Sequence, residues 1–140
     1  MSNWIRHTVF LIVCRIFYQL ERIRNMNTLT YEEALEIYNE MERLVDRTDE
    51  DILYLYNSLI EKAIRYSHTR SEWTTLTRQE RLDNDESRSI LHDSFISSVN
   101  IISRTQGESG SAWRKRLTED RKRIGDFACY ISLFKALEAR

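Results

Sequence analysis

The absence of proline is the feature that most restricts the fold of this chain. Its 140 residues contain no proline and only three glycines, Gly107, Gly110 and Gly125. Tight turns between strands draw on glycine and proline, because these residues supply backbone angles that others rarely adopt. Helix interiors exclude proline, which lacks an amide donor and clashes with the preceding turn. The chain is therefore predicted to be all-α, an irregular bundle of four to five principal helices plus short helical turns, with one main break at residues 106–111.

One folded domain is predicted for residues 26–140, which are enough to bury a core. Hydrophobic residues make up 41% of the chain and charged residues 31%, as is typical of folded chains. The net charge of −1 supplies no overall field for nucleic acid. Residues 26–105 carry nine basic and sixteen acidic side chains, whereas residues 106–140 carry eight and five. Two interpretations account for this charge distribution. The charges form solvated helix faces and internal ion pairs, or the acidic segment binds a basic partner.

Residues 1–25 differ in composition from the rest of the chain. Apolar residues at helical spacing, with others elsewhere on the wheel, predict a helix over residues 4–23 that is apolar on nearly every side. Such a helix needs a partner, and a second copy of the chain is one candidate. The alternative is an upstream extension, with Met26 as the natural start. The uninterrupted apolar run of residues 8–14 is shorter than the roughly 20 residues that cross a bilayer.

Capping residues mark where the predicted helices begin. Thr30 with Glu33, and Thr77 with Glu80, match the capping box, in which a hydroxyl and a carboxylate each satisfy a free amide of the first turn. Asp49 is a further N-cap candidate. Apolar residues follow each cap at spacings of three and four, which predicts one buried face per helix.

The middle of the chain predicts shorter elements. The apolar pattern weakens over residues 68–86, where we expect a short helix anchored by Trp73, Leu76 and Leu82. A cap at residues 83–85 is then predicted to begin a helix that ends near Thr105 and has Ile90 on its apolar face.

The last third of the chain is predicted to follow the glycine break. Ser111 is expected to cap a short turn, and Thr118 to cap the last helix. Gly125 lies inside that helix at a cost of about 1 kcal/mol relative to alanine, which predicts a close approach by another helix. The aromatic residues expected in the core are Phe95, Phe127 and Phe134.

Four motifs in the C-terminal part of the chain carry a resemblance. They are LHDSFI at residues 91–96, AWRKRL at residues 112–117, RKRIGDFACYI at residues 121–131 and ALEAR at residues 136–140. Together they resemble a family of small uncharacterised all-helical proteins of Gram-positive gut bacteria and their mobile elements. Residues 1–25 have no counterpart in that family, which favours a start at Met26. The resemblance names no activity. If the gene belongs to a mobile element, the acidic surface suggests an accessory or inhibitor protein, because acidic side chains can stand in for phosphate against a basic groove.

The first functional hypothesis is protein–protein contact without catalysis. The helix predicted after Thr30 has an acidic outer face, and a tyrosine of the next helix lies off its apolar face. Aromatic side chains are enriched where proteins bind one another. The candidate protein-binding residues are Glu32, Glu33, Glu36, Glu40 and Tyr54.

The alternative hypothesis is a nucleic-acid-binding module. A tryptophan beside clustered basic residues is a pattern that suits base stacking and phosphate contact. Acidic residues interrupt the cluster, and its basic positions spread around the helix, so internal ion pairing is the competing interpretation. The candidate residues are Trp113, Arg114, Lys115, Arg116, Arg121 and Lys122.

A third hypothesis is a small polar pocket centred on His92. Antiparallel packing of the last two long helices would bring together a polar network of Arg88, His92, Asp93, Arg123 and Asp126. A network that only fixes helix register is the competing interpretation. No nucleophile or second carboxylate at diagnostic spacing accompanies His92, so we do not expect an enzyme.

No metal or other cofactor is predicted. The histidines are far apart in sequence and show no metal-ligand spacing. Cys14 and Cys129 show no paired spacing, which predicts reduced thiols in a cytoplasmic protein.

Overall fold

Five helices make up most of the part of the chain that the structure describes. The computed structural model describes residue 5 and residues 29–139, and it contains no strand there. The helices are α1 (Tyr31–Arg43), α2 (Glu50–Trp73), α3 (Arg78–Thr105), α4 (Gly107–Arg116) and α5 (Arg121–Glu138). The prediction of an all-α bundle with four to five principal helices is confirmed. The helix or extension predicted over residues 1–25 and the start predicted at Met26 lie outside the described residues.

Helix α5 lies at the centre of the bundle and packs against α1, α2 and α3. From Arg123 to Phe134, every residue except Asp126 is buried. A helix that is covered on several sides has no continuous polar face, because each side must pack against a neighbour. Phe127 of α5 and Phe95 of α3 are fully buried, so α5 supplies the apolar layer on which the other helices dock.

Helices α1, α2 and α3 begin at the residues that the sequence predicts. The side chains of Thr30, Asp49 and Thr77 each accept from a backbone amide of the following turn. The N-cap predicted at Thr118 is wrong, because its hydroxyl donates backwards to a carbonyl of α4. Asp120 caps α5 instead, and its carboxylate accepts from the Lys122 amide at 2.8 Å.

Helix α3 is one continuous helix, and the cap predicted at residues 83–85 is wrong. Asp83 accepts from the Gln79 side-chain amide at 2.9 Å. Asn84 donates to the Glu80 carbonyl at 2.7 Å. Both polar side chains form hydrogen bonds to the preceding turn of α3. They therefore stabilise the interior of this helix at the position where the sequence pattern predicts a new helix to begin. Trp73, predicted to anchor a separate short helix, is the last residue of α2.

The break between α3 and α4 is narrower than the predicted six-residue segment. Gln106 separates the two helices, and α4 starts at Gly107, where φ is +64°. A Cβ atom on Gly110 would lie 1.9 Å from the Ser103 carbonyl oxygen, so α4 turns back against the end of α3. The cap predicted at Ser111 is wrong, since this residue lies within α4.

Gly125 permits the close approach that its position in the last helix predicts. A Cβ atom there would lie 3.0 Å from Nη1 of Arg70, a side chain of α2. The approaching group is a guanidinium, and the two helices meet through it at this level of the bundle.

Candidate protein-binding surface

The acidic side chains predicted to bind a partner on α1 are mostly paired within the chain. Glu33 forms an ion pair with Arg123, whose side chain is only 6% exposed. Glu36 Oε2 lies 2.9 Å from Arg116 Nη2, and Glu40 pairs within α1. The first two contacts join α1 to the start of α5 and to the end of α4. Two of the four predicted acids of α1, Glu33 and Glu36, therefore hold this helix to the rest of the bundle.

The stacking role predicted for Trp113 is wrong. Its side chain is only 2% exposed, and its Nε1 donates to Gln106 Oε1 at 2.7 Å. The Gln106 side-chain amide in turn donates to the Met41 carbonyl at 2.9 Å. Trp113 therefore connects α4 to Gln106, the residue between α3 and α4, and through it to α1. Neither face of the indole ring is exposed for stacking on a base.

The basic residues around Trp113 also serve internal contacts in part. Arg114 Nε donates to Asn100 Oδ1 at 2.7 Å, which links α4 to α3. Lys115 and Lys122 are exposed. Arg121 opens α5, and its side chain lies outside the described residues. The predicted nucleic-acid residues thus do not form one exposed stripe.

The polar network predicted around His92 is only partly formed. The His92 ring packs edge-on against Tyr66, with 5.4 Å between ring centroids. His92 Nδ1 lies 3.2 Å from Asp93 Oδ1 at the surface, and the Arg88 guanidinium lies over an indole ring of α2. The prediction that Arg123 belongs to this network is wrong, because its side chain pairs with Glu33 of α1.

Asp126 finds its partner on α2, in Arg70. Arg70 Nη2 lies 2.8 Å from Asp126 Oδ1. Burial nevertheless raises the pKa of Asp126, because loss of solvation outweighs the attraction of Arg70. Burial also raises the pKa of the neighbouring Cys129 thiol, which makes this thiol a poor nucleophile. The ion pair between Arg70 and Asp126 connects α2 to α5.

The sequence pattern missed Tyr66 and Arg70, the two α2 residues that organise this cluster. The apolar repeat of α2 fades after Ile64, and residues 68–86 read as a weak segment. The one available signal was Gly125, because a helix-interior glycine indicates that something approaches the backbone.

An open groove of about 570 Å³ lies beside α1. Its lining residues largely bond to one another: Tyr38 donates to Glu138 at 2.8 Å, and Arg47 pairs with Glu42 at 3.2 Å. A binding pocket needs polar groups that converge on a ligand, and these groups are turned toward each other.

The first ten residues of α3 stand clear of the bundle. Every residue of 78–87, which we name the α3 arm, is exposed. The arm is about 15 Å long at 1.5 Å per residue. Leu82, predicted as an anchor, is 64% exposed, and Ile90, predicted to face the core, is 61% exposed. Both predictions are wrong, because no other described element reaches this side of α3.

The exposed residues of α3 form one continuous surface. On a helix of 3.6 residues per turn, exposed residues at steps of three and four fall within an arc of about 100°. Six of these, from Leu82 to Ile101, define one surface. This surface, named the α3 face, consists of Leu82, Glu86, Ile90, Asp93, Ser97 and Ile101, of which all six are exposed.

Acidic groups on the α3 face are not bound by basic groups of other helices. Glu86 makes no hydrogen bond or ion pair with any described residue, and Asp93 contacts only its neighbour His92. Asp83, at the edge of the face, is bonded within α3. This differs from α1, where Glu33 and Glu36 are bound by arginines of α4 and α5.

No protein-family model, curated protein or solved structure matches this chain at a significant level. The family resemblance of the four C-terminal motifs stays a prediction. In residues 29–139, no group of three His, Cys, Asp or Glu side chains is placed to hold a metal ion. Among the described helices, none is both long enough and apolar enough to cross a bilayer.

Proposed function

We propose that this protein acts by protein–protein contact, without catalysis, and that the α3 face is its docking surface. The observation that carries the proposal is the α3 arm, ten consecutive helical residues that are all exposed. We place the protein in the cytoplasm, since Cys129 is a free buried thiol and free thiols are typical of reducing compartments.

The arm is maintained by local bonds. Most helical stability in proteins comes from packing an apolar face, and short isolated helices are marginal in water. The arm has no such packing, yet it begins with a complete capping box at Thr77 and Glu80. Arg81 also donates to the Trp73 carbonyl at 3.0 Å, which holds the arm to the end of α2. A preformed helix of this kind is suited to a partner that packs along it, because its ordering cost is already met.

The acidic side chains of α1 and α3 differ in their ion pairing, and this difference favours the α3 face as the docking surface. Four of the five acids of α1, all except Glu32, pair with arginines of the described chain, whereas Glu86 and Asp93 of α3 pair with no arginine there. Large aliphatic side chains accompany these two acids, and Leu82 and Ile90 are each more than 60% exposed. A surface with exposed aliphatic and acidic residues favours protein contact over nucleic acid, whose phosphates the acids repel.

Photocrosslinking in cells that produce the protein natively tests this proposal. A photoreactive amino acid is placed singly at Leu82 or Ile90 on the α3 face, and at Glu32 or Tyr54 as matched exposed positions elsewhere. All four side chains are exposed, so the substitutions leave the core intact. We expect discrete protein adducts from the two α3 positions, identified by mass spectrometry.

Adducts from Glu32 and Tyr54 alone would restore the surface predicted from sequence and reject the α3 face. An absence of adducts at all four positions, with the protein folded by circular dichroism, would reject protein contact through these surfaces.

A further inference from the structure

The α3 face has a regular spacing along its whole length. Its six members, Leu82, Glu86, Ile90, Asp93, Ser97 and Ile101, are separated by steps of four, four, three, four and four residues. Steps of four, four and three form an 11-residue repeat, which stays on one line of a helix. Leu82 and Ile101 are 19 positions apart, about 28 Å along the axis. This length accommodates one partner helix of about five turns.

Between Leu82 and Ile101, the charge along this line has one sign. Glu86 and Asp93 lie on it, and Asp83 lies at its edge. Two nearby arginines point elsewhere, since Arg81 bonds to the end of α2 and Arg88 lies over the Trp73 ring at 4.8 Å. Arg104, which is exposed, lies on the same line one step beyond Ile101. Between Leu82 and Ile101 the α3 face therefore presents aliphatic and acidic side chains without a basic one.

The α3 face of a second copy of the chain does not complement this surface. In a parallel pair, Glu86 and Asp93 of one copy would each oppose the same residue of the other, and opposed like charges are destabilising. In an antiparallel pair centred on the line, Ile90 would oppose Asp93, which buries a carboxylate against an aliphatic side chain. Basic side chains opposite the acids, with apolar ones opposite the aliphatic residues, satisfy both groups.

We infer that the partner of the α3 face is a basic amphipathic helix of another protein. This inference rests on the proposed function and adds the chemistry of the partner. Leu82, Ile90 and Ile101 would pack between apolar residues of the partner, and its lysines or arginines would pair with Glu86 and Asp93. Because added salt screens the attraction between the exposed acids and a basic partner, it should weaken the complex.

The test measures binding of the full chain to three fluorescent synthetic peptides of about 20 residues, the length that matches the α3 face. The first carries leucines on one line with flanking lysines. The second has glutamate in place of every lysine, and the third has serine in place of every leucine. We expect binding of the first peptide by fluorescence anisotropy, weakened by salt, and no binding of the other two.

Variants of the protein locate the site. Glu86→Gln with Asp93→Asn should weaken binding of the basic peptide by about tenfold, since each exposed ion pair contributes modestly. Leu82→Ser with Ile90→Ser should weaken it by more than about 20-fold, through lost apolar burial. Asp51→Asn with Glu61→Gln, which removes two exposed acids of α2, is the matched control and should leave affinity unchanged.

Equal binding of the acidic peptide, or equal losses in the α2 control, would overturn the inference. If the basic peptide fails to bind while crosslinks still form at Leu82 and Ile90, the partner chemistry is wrong and the proposed function stands. If both fail, the α3 face is not a docking surface.

Discussion

Gly110→Ala is the substitution for which helix propensity and tertiary packing predict opposite signs. Within a helix, alanine is favoured over glycine by about 1 kcal/mol, and Gly110 lies inside α4. A Cβ atom there would lie 1.9 Å from the Ser103 carbonyl oxygen and 2.7 Å from its carbonyl carbon. Both atoms are backbone, so relief requires that α4 move away from the end of α3. Overpacking of this kind typically costs 1–3 kcal/mol, and occasionally more.

We therefore expect Gly110→Ala to lower the free energy of unfolding by about 2 kcal/mol. With a urea dependence of about 2 kcal/mol per molar, the midpoint should fall by about 1 M. Urea unfolding followed by circular dichroism measures this shift.

Two control glycines separate the causes. Gly107→Ala meets no atom within 4 Å, but its φ is +64°, so it should cost about 1 kcal/mol from backbone strain alone. Gly125→Ala meets the end of the Arg70 side chain at 3.0 Å, and helix propensity offsets part of that contact, so its effect should be the smallest. A Gly110→Ala protein as stable as the parent would refute the reasoning about the α3–α4 corner.

Three further predictions concern buried polar groups. Ser67 Oγ and Ser132 Oγ lie 2.6 Å apart in the core. Replacing either serine by alanine should lower the free energy of unfolding by about 1 kcal/mol, and a double-mutant cycle should show a smaller loss for the double variant than the sum of the single losses. Strictly additive losses would count against the hydrogen bond. Glu33→Gln removes the carboxylate from buried Arg123 and should lower the free energy of unfolding by about 2 kcal/mol in urea titrations; an unchanged midpoint would contradict this. Burial raises the pKa of Asp126 above its ordinary value of 3.8, so the folded state binds the proton more tightly than the unfolded state. The stability of the parent relative to Asp126→Asn should therefore fall as the pH rises from below 3.8 through the raised pKa, and then stay level; a relative gain over that range would reverse the assigned cause.

Periodicity predicted which side of each helix is apolar, but not which sides the bundle covers. Phe95, Phe127 and Phe134 are buried as expected. Leu82 and Ile90 obey similar spacing and are exposed, because burial requires a second element at the right height. Nothing local to residues 78–90 encodes where α2 ends in space.

Within the candidate site, the residue types were predicted better than their partners. The sequence indicated a protein-binding surface of acids with exposed large side chains, and placed it on α1 and at Tyr54. Two of those acids, Glu33 and Glu36, bind Arg123 and Arg116, which are 90 and 80 positions away. Neither separation leaves a pattern in a single sequence, because such pairs depend on how helices cross.

By itself the sequence determined the all-helical class and the starts of the first three helices, because caps and helical spacing act within about four residues of chain. Tertiary structure alone decided that Glu33 and Glu36 of α1 are bound by arginines of α5 and α4. It also decided that the acids and aliphatic residues of α3 stay in solvent. The physical reason is that charge pairing and burial depend on which helices come into contact. Helices α1, α2 and α3 pack against α5, and the outer side of α3 stays uncovered by any described helix.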